Sequence, residues 1–220
     1  MRSNSVRLLF ITDVHGRSVR LRNLPAAEVC LVGGDLTHFG EVAEVRALLA
    51  VLTDRFPAVL GVPGNCDPAE SVGAFADAGA NLHLARHELG GVVFWGLGGC
   101  PRTPFDTPNE WSEEAVAAGV KNVAAVTSAP AAAPCVLVAH APPAGSGAAR
   151  LVSGVDVGSR AVAELARRVR PSLILCGHLH EARGVHAWEG VPVINPGPLR
   201  DGHYALIEWT PPHSPRISLD

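Results

Sequence analysis

Leu8-Leu9-Phe10-Ile11-Thr12-Asp13-Val14-His15 sets four consecutive apolar residues just ahead of an aspartate and a histidine two positions apart. A short apolar run of this kind reads as a buried strand. Metal-capable side chains at its end then fall on a loop carried by a rigid sheet. The same arrangement recurs along the chain. Asp35 follows Val29-Cys30-Leu31-Val32-Gly33-Gly34, and Asn65 follows Val59-Leu60-Gly61-Val62-Pro63-Gly64. His140 follows Cys135-Val136-Leu137-Val138-Ala139, and His178 and His180 follow Leu173-Ile174-Leu175-Cys176-Gly177. In an open α/β sheet the carboxyl ends of the strands are where loops converge on a ligand. Seven oxygen and nitrogen donors are therefore expected on one edge of the fold, enough for two metal ions sharing a carboxylate.

Imidazoles, carboxylates and one amide together suit a divalent transition metal such as Mn, Fe, Zn, Co or Ni. The lack of cysteine among them argues against a closed structural zinc site. Two such ions, about 3.5 to 4 Å apart, can clamp the attacking and leaving oxygens of a phosphoryl transfer. Taken singly, a histidine after a strand is more often a surface loop residue than a ligand. The ordered series is what carries weight.

The order Asp13-Val-His15, Gly34-Asp35, Gly64-Asn65-Cys66-Asp67, His140 and Gly177-His178-Leu-His180 resembles the calcineurin-like metallophosphoesterase superfamily over nearly the whole chain. The resemblance implies a four-layer αββα sandwich of two mixed β-sheets flanked by helices. It implies that Asp13, His15, Asp35 and His180 hold a first metal ion. Asp35 also bridges to a second ion, which Asn65, His140 and His178 complete. Two divalent ions are expected, Mn²⁺ first, with Fe, Zn, Ni or Co as alternatives, and hydrolysis through a hydroxide that bridges them. Asp35, Asn65, Cys66, Asp67 and His140 are the residues expected to act in catalysis.

One position departs from the commoner pattern, in which a histidine follows the asparagine and protonates the leaving oxygen. Here it is Cys66. A thiol of ordinary pKa near 8.5, against about 6.5 for histidine, is a poorer proton donor to a basic alkoxide at neutral pH. The Gly-Asn-Cys-Asp variant resembles a smaller branch containing compact phosphodiesterases and a related vacuolar-sorting scaffold. All seven ligand positions are filled here, which a scaffold would not need. The expected function is accordingly hydrolysis of small phosphodiesters such as cyclic nucleotides. A phosphomonoesterase or nucleotidase and a non-catalytic scaffold are the alternatives.

The 220 residues, 47% hydrophobic and without a linker-like stretch, suggest one domain over 1–220. A net charge of −3 and a single lysine, Lys121, give no basic face for a long polyanion, so a small phosphoester is the expected partner and extended nucleic acid is not. A homo-oligomer is left open. Cys30, Cys135 and Cys176 lie inside apolar runs, so they read as reduced core residues. No apolar run approaches a membrane span, and Asp13 comes too early for a removable leader, so the expected location is the cytoplasm.

A coarse pass predicts strands at 6–11, 29–32, 58–62, 82–86, 91–96, 135–139, 173–176, 184–188, 191–194 and 204–209. Helices are predicted at 17–23, 41–55, 68–78, 112–126 and 159–170. Val42, Val45, Leu48, Leu49 and Leu52 form one helical stripe, and Ser112-Glu113-Glu114 looks like a cap with an acidic first turn. The Pro- and Gly-rich segment 98–108 is expected to be a loop. Arg102 and Thr103 within it, and Thr37 and His38 after Asp35, are candidate substrate contacts, since guanidinium suits phosphate. For Arg102 a plain solvated loop residue is an equal alternative. Asn195-Pro196-Gly197-Pro198 reads as a structural turn.

Overall fold

The computed structural model describes residues 5–125, 134–211 and 213–220. In chain order the strands are β1 (Val6–Ile11), β2 (Val29–Val32), β3 (Ala58–Gly61), β4 (Arg86–Leu89), β5 (Val92–Leu97), β6 (Cys100–Pro101), β7 (Glu110–Trp111), β8 (Cys135–Ala139), β9 (Leu173–Leu175), β10 (Gly184–Trp188), β11 (Val191–Asn195), β12 (Ala205–Trp209) and β13 (Arg216–Leu219). The α-helices are α1 (Val42–Arg55), α2 (Ser71–Asp77), α3 (Glu113–Ala125) and α4 (Arg160–Val169). One sheet has the order β13-β12-β1-β2-β3 and the other β10-β11-β9-β8-β5-β4. Both are mixed: β1, β2 and β3 run parallel while β12 is antiparallel to β1, and β5, β8, β9 and β11 run parallel between antiparallel edges.

The continuous apolar runs are explained by two cores meeting at every central strand. Leu8 and Phe10 of β1 face the core between the sheets, together with Leu31, Val136, Val138, Leu173 and Leu175. Leu9 and Ile11 point the other way, into a core with Leu48, Leu49 and Leu52 of α1 and Phe75 of α2. On the far side Leu137 and Ile174 pack against Val116 and Val120 of α3 and Val162 and Leu165 of α4. This is the four-layer αββα sandwich. Each fully buried large side chain contributes about 1.5–3 kcal/mol. Because side chains alternate, a one-residue slip of β1 would exchange two cores at once, which fixes its register.

Local chemistry sets the helix ends. Ser112 Oγ accepts from Ala115 N at the start of α3, as the sequence suggested. Ser159 Oγ accepts from Val162 N in α4, and Glu113 of α3 accepts from Arg160 N and Ala161 N, setting a carboxylate on the positive end of α4. Position 126, the expected last residue of α3, lies outside the described residues.

Several boundaries differ from expectation. Segment 17–23 is a 3₁₀ helix over Ser18–Asn23, and the helix expected at 68–78 is only Ser71–Asp77. The strand expected at 82–86 is reduced to isolated pairings at Asn81 and His83, because Leu84 turns left-handed at φ 50° and pairing resumes at Arg86. Segment 98–108 is not wholly irregular: Cys100–Pro101 pairs with Glu110–Trp111. Strand β13 was not anticipated; its period-two alternation Arg216-Ile217-Ser218-Leu219 is the signal that could have revealed it.

Candidate metal centre

Every proposed ligand sits in the turn that leaves a strand. Asp13 and His15 follow β1, Asp35 follows β2, Asn65 follows β3, His140 follows β8, and His178 and His180 follow β9. Four of them turn sharply, with φ of 55° at Asp13, 46° at His15, 51° at Asp35 and 69° at His178. A left-handed non-glycine residue costs roughly 1–2 kcal/mol, and such strain concentrates where function requires it. Backbone bonds between the turns hold them: Asp13 N donates to Gly34 O (3.0 Å), His15 N to Asp35 O (2.9 Å), Arg200 N to Asp13 O (3.2 Å) and Gly177 N to His140 O (3.0 Å). Gly34 and Gly64 let two of the turns touch. A Cβ on Gly34 would lie 2.6 Å from Gly64 Cα and 2.8 Å from His140 Nδ1.

The side chains form two adjoining groups. In the first, Asp13 Oδ1 lies 3.2 Å from His180 Nε2 and 3.8 Å from His15 Nε2, and the two ring nitrogens are 3.5 Å apart. In the second, His140 Nε2 lies 2.7 Å from Asn65 Oδ1 and 3.5 Å from Asp35 Oδ1, and the His178 ring centre is 5.1 Å from that of His140. Asp35 faces both: Oδ1 toward His140, and Oδ2 toward His15 at 3.8 Å. All seven residues are thus brought to one place.

Electrostatics makes this a site short of positive charge. Burial pushes His15 down to about 4 against the pull of Asp13, and burial together with the charge of His140 pushes His178 down to about 3. Both are neutral imidazoles at neutral pH, the form that ligates metals. Burial, reinforced by Asp13 and Asp67, raises Asp35 above the usual carboxylate range. Asp13 is held low, the nearby imidazoles of His180 and His140 outweighing its burial. Asp13 Oδ1 is buried and accepts no hydrogen bond among the described residues. His140 Nδ1 lies 2.8 Å from Gly33 O, to which it donates. Nε2 then faces Asn65 Oδ1, an amide oxygen with no proton to offer, and Asp35 Oδ1, which already accepts from Cys66 N. Burial opposes a charge on His140, yet Asp35 and Asp13 raise its pKa, so a proton is drawn into this gap. Divalent cations answer the same demand with more charge, so the donor set fits metal ions.

The other predicted residues are placed as follows. Cys66 is buried; its thiol lies within 4.8 Å of the nearest ligand atoms of His15 and His38, and its N–H donates to Asp35 Oδ1 (2.7 Å). Burial, then Asp35, pushes the thiol far up. Asp67 is fully buried and accepts from Leu36 N, Thr37 N, Thr37 Oγ1 and Gly64 N, which ties the turns around Asp35 and Asn65 together. His38 is exposed, 3.3 Å from His15 Nδ1, and borders a cavity of about 260 Å³ with His15, Arg17, Arg200 and Asp201. Its neighbour Phe39 is 54% exposed, left-handed at φ 61°, and packs on the His38 ring. Arg102 is exposed, whereas Thr103 donates its N–H and hydroxyl to Glu110.

Three contributors escaped the sequence. Thr107 Oγ1 lies 3.0 Å from Asn65 Nδ2. Glu110 is pulled down to about 2: burial alone would raise it, but hydrogen bonds from Thr103 and Thr107 to its ionised form prevail. Arg200 approaches His180 Nδ1 at 3.3 Å. Only the proline-rich turn before Arg200 hinted at that region. Asn195 Nδ2 donates to Leu179 O (2.7 Å), which fastens this turn beneath the two terminal ligands.

Comparison with known proteins agrees with the geometry. The family described as calcineurin-like phosphoesterase matches residues 6–182. An uncharacterised protein of Methanocaldococcus jannaschii is 34% identical over 200 residues, covering 88% of each chain. Among solved structures, a Thermus thermophilus protein superposes with a TM-score of 0.72 at 18% identity, covering 98% of both chains. A phosphopantetheinyl hydrolase of Mycobacterium tuberculosis superposes with a TM-score of 0.63 at 19% identity, covering 98% of this chain and 96% of its own. At those identities the two structures speak for the fold alone.

Proposed function

Because the chain belongs to the calcineurin-like phosphoesterase family, a family of metal-dependent phosphoric ester hydrolases, we propose that it is a two-metal phosphodiesterase acting on small diesters such as cyclic nucleotides. The observation that carries the two-metal reading is Asp35, whose two carboxylate oxygens face different groups of ligands. We assign Asp13, His15, Asp35 and His180 to one ion and Asp35, Asn65, His140 and His178 to the other, with Mn²⁺ the first choice. When bound, the ions supply Lewis acidity and activate water for attack on phosphorus.

The chain's own residues do the rest. Gly33 O accepts a hydrogen bond from His140 Nδ1 and so keeps Nε2 aimed into the site. Asp67 acts by position: through four hydrogen bonds it fixes the loops that carry Asp35 and Asn65. His38, Arg17 and Arg200 border the open side, where a singly charged diester would rest and its substituent would pass Phe39. Cys66 favours diesters for two reasons. It is a poor proton donor to a basic leaving oxygen, and it is smaller than the histidine of the commoner pattern, leaving room for a second ester group. A monoester dianion would also meet more repulsion beside Asp13 and Asp35. Complete ligands count against a scaffold and Cys66 against a monoesterase.

The five cysteines are all buried and unpaired, which supports a reducing compartment. No helix among the described residues is long and apolar enough to cross a membrane. The deciding experiment measures hydrolysis of bis-nitrophenyl phosphate, 2′,3′- and 3′,5′-cyclic nucleotides and nucleotide monophosphates with Mn²⁺, Ni²⁺, Co²⁺ or Fe²⁺. Diester cleavage abolished by chelation and restored by Mn²⁺ is expected. No cleavage of any diester with any of these metals would refute the proposal.

A further inference from the structure

Asn65 offers the centre an amide, whose two ends have the same shape and opposite chemistry: oxygen can ligate a cation, and NH₂ cannot. We infer that Glu110 and Thr107 form a hydrogen-bond relay that decides which end faces the metal position. Glu110 accepts from Thr103 N (2.9 Å), Thr103 Oγ1 (2.5 Å), Thr107 N (2.9 Å) and Thr107 Oγ1 (2.6 Å). An ionised carboxylate only accepts, so each threonine hydroxyl commits its single proton to Glu110. Thr107 Oγ1 is left with lone pairs alone, 3.0 Å from the Asn65 amide. The atom facing it must be a donor, Nδ2. The amide oxygen is thereby turned the other way, to 2.7 Å from His140 Nε2.

Thr103 shows the same logic in the same loop: its hydroxyl proton goes to Glu110 and its lone pair accepts from Phe105 N (3.1 Å). The low pKa of Glu110 agrees, since the carboxyl stays ionised wherever the protein is folded near neutrality. The backbone beneath is held separately, by Asn109 N on Asn65 O (3.1 Å) and Asn109 Nδ2 on Gly64 O (2.9 Å). Thr107 is therefore a positioning residue rather than a loop anchor. The inference deepens the metal assignment made for Asn65.

The test is calorimetric titration of the metal-free protein with Mn²⁺, with elemental analysis of the loaded forms. Thr107→Val should weaken one of two sites by about 10- to 100-fold, the range for a lost partner of a ligand, and leave the other unchanged. Thr107→Ser, which keeps the hydroxyl, should bind within about threefold of the wild type. In an Asn65→Asp background both ends of the side chain are oxygen, so Thr107→Val should there cost nothing further. The relay is overturned if Thr107→Val binds both ions as the wild type does, weakens both equally, or weakens them as much in the Asn65→Asp background. Two-site Mn²⁺ binding without cleavage of any diester would refute the functional proposal and leave the relay standing.

Discussion

Gly64→Ala tests how closely the site depends on the contact between its loops. Gly64 does not occupy the left-handed region, so alanine is not excluded by backbone conformation. It is excluded by space: an added Cβ would lie 2.7 Å from Asp35 Cγ and nearer still to its Oδ1 and backbone N. Carbon atoms settle at about 3.5–4.0 Å, so Asp35 must retreat by about 1 Å. Its Oδ1 also holds Cys66 N, and both its oxygens face ligand groups, so it cannot retreat without opening the centre. A misplacement of about 1 Å costs on the order of 100-fold in turnover, and overpacking costs about 1–3 kcal/mol in stability. Gly73 is the control. It lies in α2 with nothing within 4 Å of an added Cβ, so Gly73→Ala should stabilise by about 0.5–1 kcal/mol and leave turnover alone. Melting temperature, metal content and diester turnover, measured on both variants, separate the two effects. A Gly64→Ala protein with wild-type metal content and turnover would refute the claim that this contact places Asp35.

Asp35→Asn should lower the content of both metals and reduce turnover by orders of magnitude in a folded protein, whereas His180→Ala and Asn65→Ala should each deplete mainly one ion. Equal loss of both ions in every variant, by elemental analysis, would contradict the division of ligands. Cys66→His should raise kcat/KM for phenyl phosphate relative to a matched phenyl diester, because imidazolium donates a proton more readily at neutral pH; an unchanged ratio would remove Cys66 from specificity. Glu110 is held at about 2, below its ordinary 4.5. A depressed carboxyl stabilises the fold above its unfolded pKa and stops doing so as pH falls from about 4.5 to 2. The gap in melting temperature between wild type and Glu110→Gln should therefore be constant near neutrality and close across that window; a gap that widens on acidification would show the sign to be wrong.

What could be read from the sequence was whatever repeats with strand periodicity. Leu8 to Ile11, Val29 to Val32 and Val136 to Val138 are apolar without interruption because each strand is buried on both faces, and that property survives in a linear string. The ligands were legible for the same reason, each lying within a few residues of the end of such a run. Leu84, left-handed at φ 50°, ends a strand that its apolar neighbours would continue, and nothing local announces it. Thr107 and Glu110 were hidden because their importance lies in hydrogen-bond direction toward Asn65, 42 positions before Thr107, and a loop rich in proline and glycine looks alike whether clamped or free. Asp67 was read as chemistry from its place in a motif, while its four hydrogen bonds show a side chain that holds loops together.

Each ligand group draws on both sheets, so the geometry within each is set by how the sheets stack. Asp13, His15, Asp35 and Asn65 leave the strands of one sheet, and His140, His178 and His180 those of the other. The link between them can be followed atom by atom. Phe10, fully buried between the sheets, lies so close beneath Gly33 that a Cβ there would sit 2.7 Å from its ring. Gly33 O accepts from His140 Nδ1 (2.8 Å), and His140 O in turn accepts from Gly177 N (3.0 Å), just ahead of His178. A change in the volume of Phe10 therefore reaches His140 and His178 through three contacts. Val162, in the core on the far side of the second sheet, shares that core with Ala139 and Cys176, which directly precede His140 and Gly177. Interiors packed at crystal-like density transmit strain rather than absorb it. All three cores thus end against ligand-bearing turns, and each helps to set the metal-holding geometry.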